Sequence, residues 1–353
     1  MSAAAANRFV ALIAAALSTA PLATAALWSQ PAHADDAADF YRGKTVTVIV
    51  GFGAGGGYDN YARLLAHHLG NHIPGAPNVV VQNMEGAGSV RASNYVYSVA
   101  PKDGTVIAAV NQNMPMYQML GGAGAQFNAA AINWLGSMAY SNGTLYTWSQ
   151  SGINTLDDAK SRDVLLGGAG TTSDSYIYPT LINGLLGTRF KVINGYAGTK
   201  EIHLAIERGE VMGRGGNTWA SVTSSNQDWI DQRKIDILVQ IGFKPEPELG
   251  QVPLLIDLVK TPSEKQIVTV VTLPTVLGYT DWLAPGVPAP RLKLLREAYD
   301  ATLQDKAFLD EAAKHAMMIR PQTGAEIEAL IKQAAATPKP VLERTAQLLG
   351  WQK

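Results

Sequence analysis

Cysteine is absent from all 353 residues. That excludes disulfides, thiolate metal sites, a cysteine nucleophile and a lipid-modified N-terminal cysteine. Excess charge is missing as well: 28 Lys and Arg stand against 29 Asp and Glu. So even a balance gives no reason to expect nucleic acid or a strongly charged membrane surface as partner. Past residue 34, no stretch approaches the roughly 20 unbroken apolar residues of a membrane span.

Catalytic signatures are also wanting. Ser173 sits in no G-x-S-x-G elbow. His68 and His72 have the i, i+4 spacing that zinc can use, but no H-E-x-x-H glutamate and no obvious third ligand accompany them. A solvated helix face carrying His67, His68 and His72 is the simpler reading. His203 and His315 are isolated, and Asp157-Asp158 reads as the cap of a short helix. Gly51, Gly53 and Gly56 satisfy G-x-G-x-x-G, which expects an acidic residue at the end of the next strand, roughly 20 residues on. Here that strand ends Val81-Gln82-Asn83, and Glu85 follows only in a later loop. No cofactor and no metal are expected.

What is present begins with an export signal. Arg8 supplies the positive end, Phe9 to Leu17 opens an apolar run, and Ala32-His33-Ala34 is an A-x-A cleavage pattern before Asp35-Asp36. Cleavage after Ala34 would leave 319 residues, more than one compact core usually holds, so two lobes are expected. The alternative is an uncleaved anchor, which Pro21 within the apolar run argues against.

The rest alternates strand and helix, the sign of parallel sheets covered on both faces. Residues 45–50 form a β-branched strand that runs into Gly51-Phe52-Gly53-Ala54-Gly55-Gly56-Gly57, and a helix follows. Residues 79–81 and 105–110 are further strands. In the middle of the chain, 164–166 runs into Gly167-Gly168-Ala169-Gly170-Thr171-Thr172-Ser173 and a helix to Ile182. Strands at 191–193 and 235–240 flank a helix at 200–208. Proline-containing loops crowd 244–262, and the C-terminal part is helical at 291–303, 306–315 and 324–349.

The two glycine-rich loops carry the chemistry. Each lies where a strand ends and a helix begins, so unpaired N–H groups and the positive end of the helix dipole converge there, as a carboxylate or phosphate requires. Thr171, Thr172 and Ser173 add hydroxyls. Either loop taken alone could be a plain turn with a capping hydroxyl. Two, one in each half of the chain, point to an anion held between them. Tyr58, Tyr176, Tyr196 and Trp219 either line a pocket or pack, with Tyr58 and Tyr196 the nearest to the loops.

The order of these blocks resembles the Bug-type periplasmic receptors of tripartite tricarboxylate transporters over nearly the whole exported chain. Residues 44–64, with Gly55-Gly56-Gly57-Tyr58-Asp59 and Ala62-Arg63-Leu64, are similar to that family's first strand, glycine loop and D-x-x-A-R helix. Val80 to Asn83 with Gly86-Ala87-Gly88, the Pro101 to Thr105 turn, and Gly167, Gly170, Ser173 and Tyr176 fall on further blocks. So do Tyr196-Ala197-Gly198 with Gly209-Glu210-Val211, and Trp282 to Pro288. The resemblance implies a two-lobed Venus-flytrap α/β fold of the second periplasmic-binding-protein class, each lobe a mostly parallel sheet flanked by helices. Residues 35–141 and 281–353 would form lobe 1 and 142–280 lobe 2, with crossings near 140–143 and 279–282.

The resemblance further implies a monomeric periplasmic receptor, not an enzyme, that passes a small carboxylate to membrane permease subunits. The ligand carboxylate would be held by Phe52, Gly53, Gly55 and Gly56, by Gly170, Thr171, Thr172 and Ser173, and by Tyr196 and Gly198, with Tyr58, Asn111 and Asn217 also near. Thr172 stands in place of the family's usual glycine, Tyr176 in place of its histidine, and residues 213–219 replace an acidic stretch. Arg214, within that segment, could pair a carboxylate bidentately or serve a structural ion pair. A ligand sensor serving a signalling protein fits the same residues. A secreted hydrolase or dinucleotide-dependent enzyme would need groups that are missing.

Overall fold

A computed structural model describes residues 34–351. The expected signal segment, 1–34, lies outside them apart from Ala34. The first part of the chain runs α1 (Ala34–Tyr41), β1 (Thr45–Val50), α2 (Gly57–His72), β2 (Asn78–Asn83), α3 (Val90–Ser98), β3 (Val106–Ala109), α4 (Met114–Met119) and β4 (Asn133–Ser137). The middle runs β5 (Gly143–Trp148), α5 (Asp158–Ser161), β6 (Val164–Gly168), α6 (Asp174–Leu186), β7 (Phe190–Asn194), α7 (Thr199–Glu207), β8 (Gly213–Thr218), α8 (Trp219–Asp231), β9 (Ile235–Ile241), α9 (Leu255–Leu258) and α10 (Pro262–Leu277). The last part runs β10 (Thr280–Leu283), α11 (Ala289–Gln304), α12 (Lys306–Lys314), β11 (Gln322–Thr323), α13 (Gly324–Ala335) and α14 (Lys339–Leu348).

Two sheets result, with strand orders β11-β4-β10-β3-β1-β2 and β7-β6-β8-β5-β9. This is a two-lobed α/β fold. Each sheet is mixed. Parallel triplets, β2-β1-β3 and β7-β6-β8, come from β–helix–β units; β10 and β5, the strands that follow the crossings, join antiparallel. Helices cover both faces, as alternation requires. Val46, Val48 and Val50 of β1 pack toward Leu64, Leu65 and Leu69 of α2, while Ile49 faces Val90 and Val96 of α3. In the second sheet Val164 and Leu166 pack on Ile177 and Leu181 of α6, and Tyr146 joins Ile202, Trp219 and Trp229 on the other face. Burying each such large apolar side chain contributes about 1.5–3 kcal/mol.

The crossings near 140 and 279 lie side by side. Met138 N–H donates to Tyr279 O at 3.0 Å, and Tyr279 N–H donates to Ala139 O at 2.8 Å. The last helical stretch, expected as one element over 324–349, is two. Pro338 and Pro340 cannot continue a helix from α13, so the chain turns and α14 starts afresh. Ala346 and Leu349 then join the core around the second sheet. Helix α10 runs through the β-branched residues 267–271, which propensity alone would favour as strand. Its capping box, Thr261 with Glu264, and its buried faces decide otherwise.

The histidine face of α2 is a helix seam. Glu311 of α12 lies 2.8 Å from both His67 Nδ1 and His68 Nε2, and Asp305 lies 2.9 Å from His72 Nε2. The sequence could not supply this acidic partner, which comes from more than 230 residues away.

Asp281 on β10 is wholly buried. It accepts from Tyr299 Oη–H at 2.8 Å, and its Oδ1 has no partner among the described residues. Burial pushes its carboxyl up to about 7, with the Tyr299 hydrogen bond pulling the other way. The folded protein therefore keeps a proton that the unfolded chain has lost, so folding binds protons and stability falls as pH rises from about 4 through 7. Asp281→Asn is expected to make the urea midpoint flatter between pH 5 and 8. A slope equal to that of the parent protein would refute this assignment.

Candidate functional site

The first glycine loop is shaped by Asp59, in the first turn of α2. Its carboxylate accepts from Gly55 N–H at 2.8 Å, from Arg63 at 2.8 and 2.9 Å, and from Asn83 Nδ2 at 2.9 Å. Asn83 also donates to Phe52 O at 2.9 Å. Burial works against the charge on Asp59, but these donors outweigh it and hold the carboxyl below its usual range. The D-x-x-A-R pattern is thus a clasp that folds the loop back onto the helix.

The second lobe meets this loop through a strand of unusual composition. β8 reads Gly-Arg-Gly-Gly-Asn-Thr and is buried at every position. A Cβ at Gly215 would stand 2.3 Å from Ser175 O, and one at Gly216 would stand 2.3 Å from Asp174 O. Only glycine lets the N-terminus of α6 lie so close to the strand. The consequence is that Arg214 and Asp174 line one cavity.

That cavity lies between the sheets. Phe52, Gly56, Gly57, Tyr58, Asn111 and Tyr279 line it from the first lobe and the crossing; Ser173, Asp174, Thr199, Arg214, Asn217, Thr218 and Ser221 line it from the second. Its free volume is about 30 Å³, so anything beyond one or two waters enters only as the lobes part. Three helices begin at its wall. The caps of α2, α6 and α7 (Gly56, Ser173 and Gly198) make no side-chain cap hydrogen bond. Their N–H groups and dipoles therefore contribute positive potential.

Side chains reinforce that potential. Arg214, Asn217 and Ser221 are 7, 4 and 2% exposed. Arg214 Nη1, Asn217 Nδ2 and Ser221 Oγ make no well-formed hydrogen bond among the described residues, although the Tyr146 hydroxyl lies beside Arg214 and Asn217 and the Tyr279 hydroxyl beside Ser221. Arg214 Nε donates to Gly216 O at 2.7 Å, and no described carboxylate lies within 4.0 Å of the guanidinium. Nearby His203 does not share the positive charge. Burial, and then Arg214, push its pKa down to about 3, and its Nε2 lies 2.8 Å from Tyr146 Oη. Leaving a buried donor unpaired costs about 1–3 kcal/mol, more if it is charged. The same lobe also brings an acid to the cavity. Asp174 is hydrogen-bonded by Asn113 Nδ2 and, at 3.4 Å, by Gln112 Nε2. Burial raises its carboxyl to about 6, against those donors and Arg214.

Of the residues the sequence proposed, the structure brings Phe52, Gly56, Tyr58, Asn111, Ser173, Arg214 and Asn217 to this cavity. The others stand elsewhere, most of them in the seam around it. Gly53 N–H donates to Ala197 O at 3.0 Å, beside Gly198. Gly55 N–H is taken by Asp59. Thr172 Oγ1 lies 2.7 Å from Ala87 O and 3.1 Å from Gly88 O across the lobes, with Gly170 packed on Gly88. Thr171 is exposed, and Tyr196 packs at the edge of the second lobe. Asn111, though at the cavity, donates weakly to Gly88 O and Thr172 O, each at 3.4 Å.

Asp174, Thr199, Thr218, Ser221 and Tyr279 were missed. Asp174 reads in sequence as an ordinary first-turn acid, and no spacing links Tyr279 to Thr218, whose hydroxyl lies 2.6 Å from it. For a metal, His67, His68 and Glu311 bring ligand atoms within 4.8 Å of one another. Their mutual hydrogen bonds already account for that arrangement.

No family model matches the sequence. A UPF0065 protein of the gbd 5′ region in Cupriavidus necator is 28% identical over 259 residues, covering 71% of this chain and 74% of that one. Among solved structures, the periplasmic binding protein BugD superposes with a TM-score of 0.69 at 19% identity, covering 89% of this chain and 100% of the other. MatC from Rhodopseudomonas palustris, solved with malate, gives 0.67 at 18%, covering 87% and 99%. Another R. palustris protein, solved with adipate, gives 0.66 at 18%, covering 87% and 97%. The resemblance read from the motifs is therefore met in the fold, which is that of Bug-type periplasmic binding proteins.

The seam predicts how the closed form is held. Thr172→Val keeps the side chain's shape and removes the hydroxyl that reaches Ala87 and Gly88, at a cost of about 1 kcal/mol to closure. The variant is expected to give a larger radius of gyration in X-ray scattering than the parent protein, with unchanged helix content. Identical scattering curves would mean that Thr172 does not latch the lobes.

Proposed function

We propose that this fold serves as an exported, periplasmic solute receptor, which closes on a small carboxylate and delivers it to the permease of a tripartite tricarboxylate-type secondary transporter. The observation that carries this reading is the convergence of three buried donors without a well-formed hydrogen bond, on Arg214, Asn217 and Ser221, at a cavity where three helices begin. A carboxylate supplies the acceptors these groups require, and its charge suits both the guanidinium and the helix dipoles. The signal-like segment and the solutes bound by MatC and its R. palustris counterpart support the same reading.

In this proposal residues 35–141 with 281–353 form one lobe and 142–280 the other, hinged at the paired segments around Met138 and Tyr279. A carboxylate seated on Arg214 and Asn217 of β8 also meets Phe52, Gly56 and Tyr58 across the gap. A ligand that touches both lobes only when they meet favours the closed form by its differential affinity. The outer faces of the closed lobes then present the signal that the permease reads. Binding without turnover completes the cycle, and the protein is not an enzyme.

A thermal-shift screen of residues 35–353 against carboxylates, sugars and amines tests this directly, since a ligand that binds only the folded state raises the melting temperature. A carboxylate is expected to raise it. Arg214→Met should then lose about 1.5–3 kcal/mol of affinity, ten- to a hundredfold, while Arg208→Met, on an exposed side chain, should lose none. A response confined to sugars, or an Arg214→Met variant of parental affinity, would sink the reading.

A further inference from the structure

The donors at Arg214, Asn217 and Ser221 describe only half of the cavity. Arg214 and Asp174 are the two charged side chains that line it, so its formal charge is zero. They do not neutralise each other in contact, because no ion pair joins them within 4.0 Å. Asp174 is instead backed by amides that leave acceptors over. Asn113 Nδ2 and Gln112 Nε2 point at its carboxylate, and Asn113 Oδ1 and Gln112 Oε1 are both buried without a partner. The second lobe therefore offers the cavity both donors, on Arg214, Asn217 and Ser221, and an acceptor, the Asp174 carboxylate.

A plain carboxylate satisfies those donors and leaves a net negative charge shut in beside Asp174. A buried charge without a partner is costly, and like charges raise that cost. A solute carrying both an anionic and a cationic group leaves no charge over. Resting on the receptor reading above, we propose that Asp174 recognises a protonated amine on the ligand, and that the solute is a small amino acid rather than a simple organic acid. The carboxylate lies toward Arg214, Asn217 and Ser221, and the ammonium lies toward Asp174.

Matched ligand pairs decide the matter on the unmodified protein. Isothermal titration would compare alanine with propionate, aspartate with succinate, and glutamate with glutarate. At least one amino acid is expected to bind about tenfold or more tightly than its amine-free partner, as befits a buried charge pair. Asp174→Asn, which keeps the side chain's shape and an acceptor for Asn113, should erase that gap; circular dichroism confirms that the variant is folded. If amine-free acids bind as well as or better than amino acids, or if the gap survives in Asp174→Asn, this inference falls. The receptor reading would then still stand on the sensitivity of acid binding to Arg214→Met. If neither kind of ligand binds, both fall.

Discussion

A guanidinium sunk between two lobes sets the terms for everything around it. Arg214 lies in the middle of β8, its Nε spent on Gly216 O and its Nη1 unspent. No neighbour cancels its charge in contact, and His203, which feels that charge in a buried setting, is held neutral. Such a group is tolerable only where acceptors can reach it, since an ion away from water loses several kcal/mol of solvation. The glycines beside it follow from the same demand. They bring the start of α6 onto the strand, adding N–H groups and the Asp174 carboxylate to the one place where they matter electrostatically.

The first lobe answers with backbone rather than charge. Its one acid near the loop, Asp59, is tied to Gly55, Arg63 and Asn83, and so is withdrawn from the cavity. Phe52 and Tyr58 meet tilted and Tyr58 meets Tyr279 edge-on, with ring centroids 4.9 Å apart at each contact, and Tyr61 stacks on Tyr279 at 4.0 Å. These rings make a wall that excludes water when the lobes meet. Low local polarity strengthens each hydrogen bond formed on the other side. The arrangement divides labour: one lobe supplies shape and dryness, the other supplies charge. Tyr279 belongs to both, since its backbone pairs with the crossing segment and its hydroxyl with Thr218.

Much of this was legible in the order of residues. The β-branched runs, the two glycine loops and the alternation of strand and helix marked the parallel triplet of the first sheet and the parallel pair β6 and β7 of the second. Arg214 and Asn217 were singled out within a segment with no regular pattern. What stayed hidden depends on distance along the chain. The antiparallel strands β5 and β10 owe their direction to the crossings, and Gly213–Thr218 has too little side chain to read as a strand. Asp174 could not be told from a helix cap, because its role comes from Arg214, forty residues later, and from Asn113, sixty-one residues earlier. Thr172 was expected to face the ligand and instead ties the lobes together, for the same reason: sequence places a hydroxyl in a loop but not on one side of it.

The positions that follow the Bug-type pattern and those that depart from it do different jobs. Asp59, Arg63 and Asn83 follow it, and they hold a loop in shape without facing the solute. Thr172 and the 213–219 segment depart from it, and they sit at the seam and on the cavity wall. Backbone N–H groups at helix starts are indifferent to what else the anion carries, so a loop of that kind serves many acids equally. Discrimination has to come from side chains whose pairing fails with the wrong guest. Arg214 and Asp174 are the charged side chains on the cavity wall, and Arg214 stands in a segment where the resemblance offers no guide. The fold thus follows a widely used pattern, while residues 213–219 on the cavity wall depart from it.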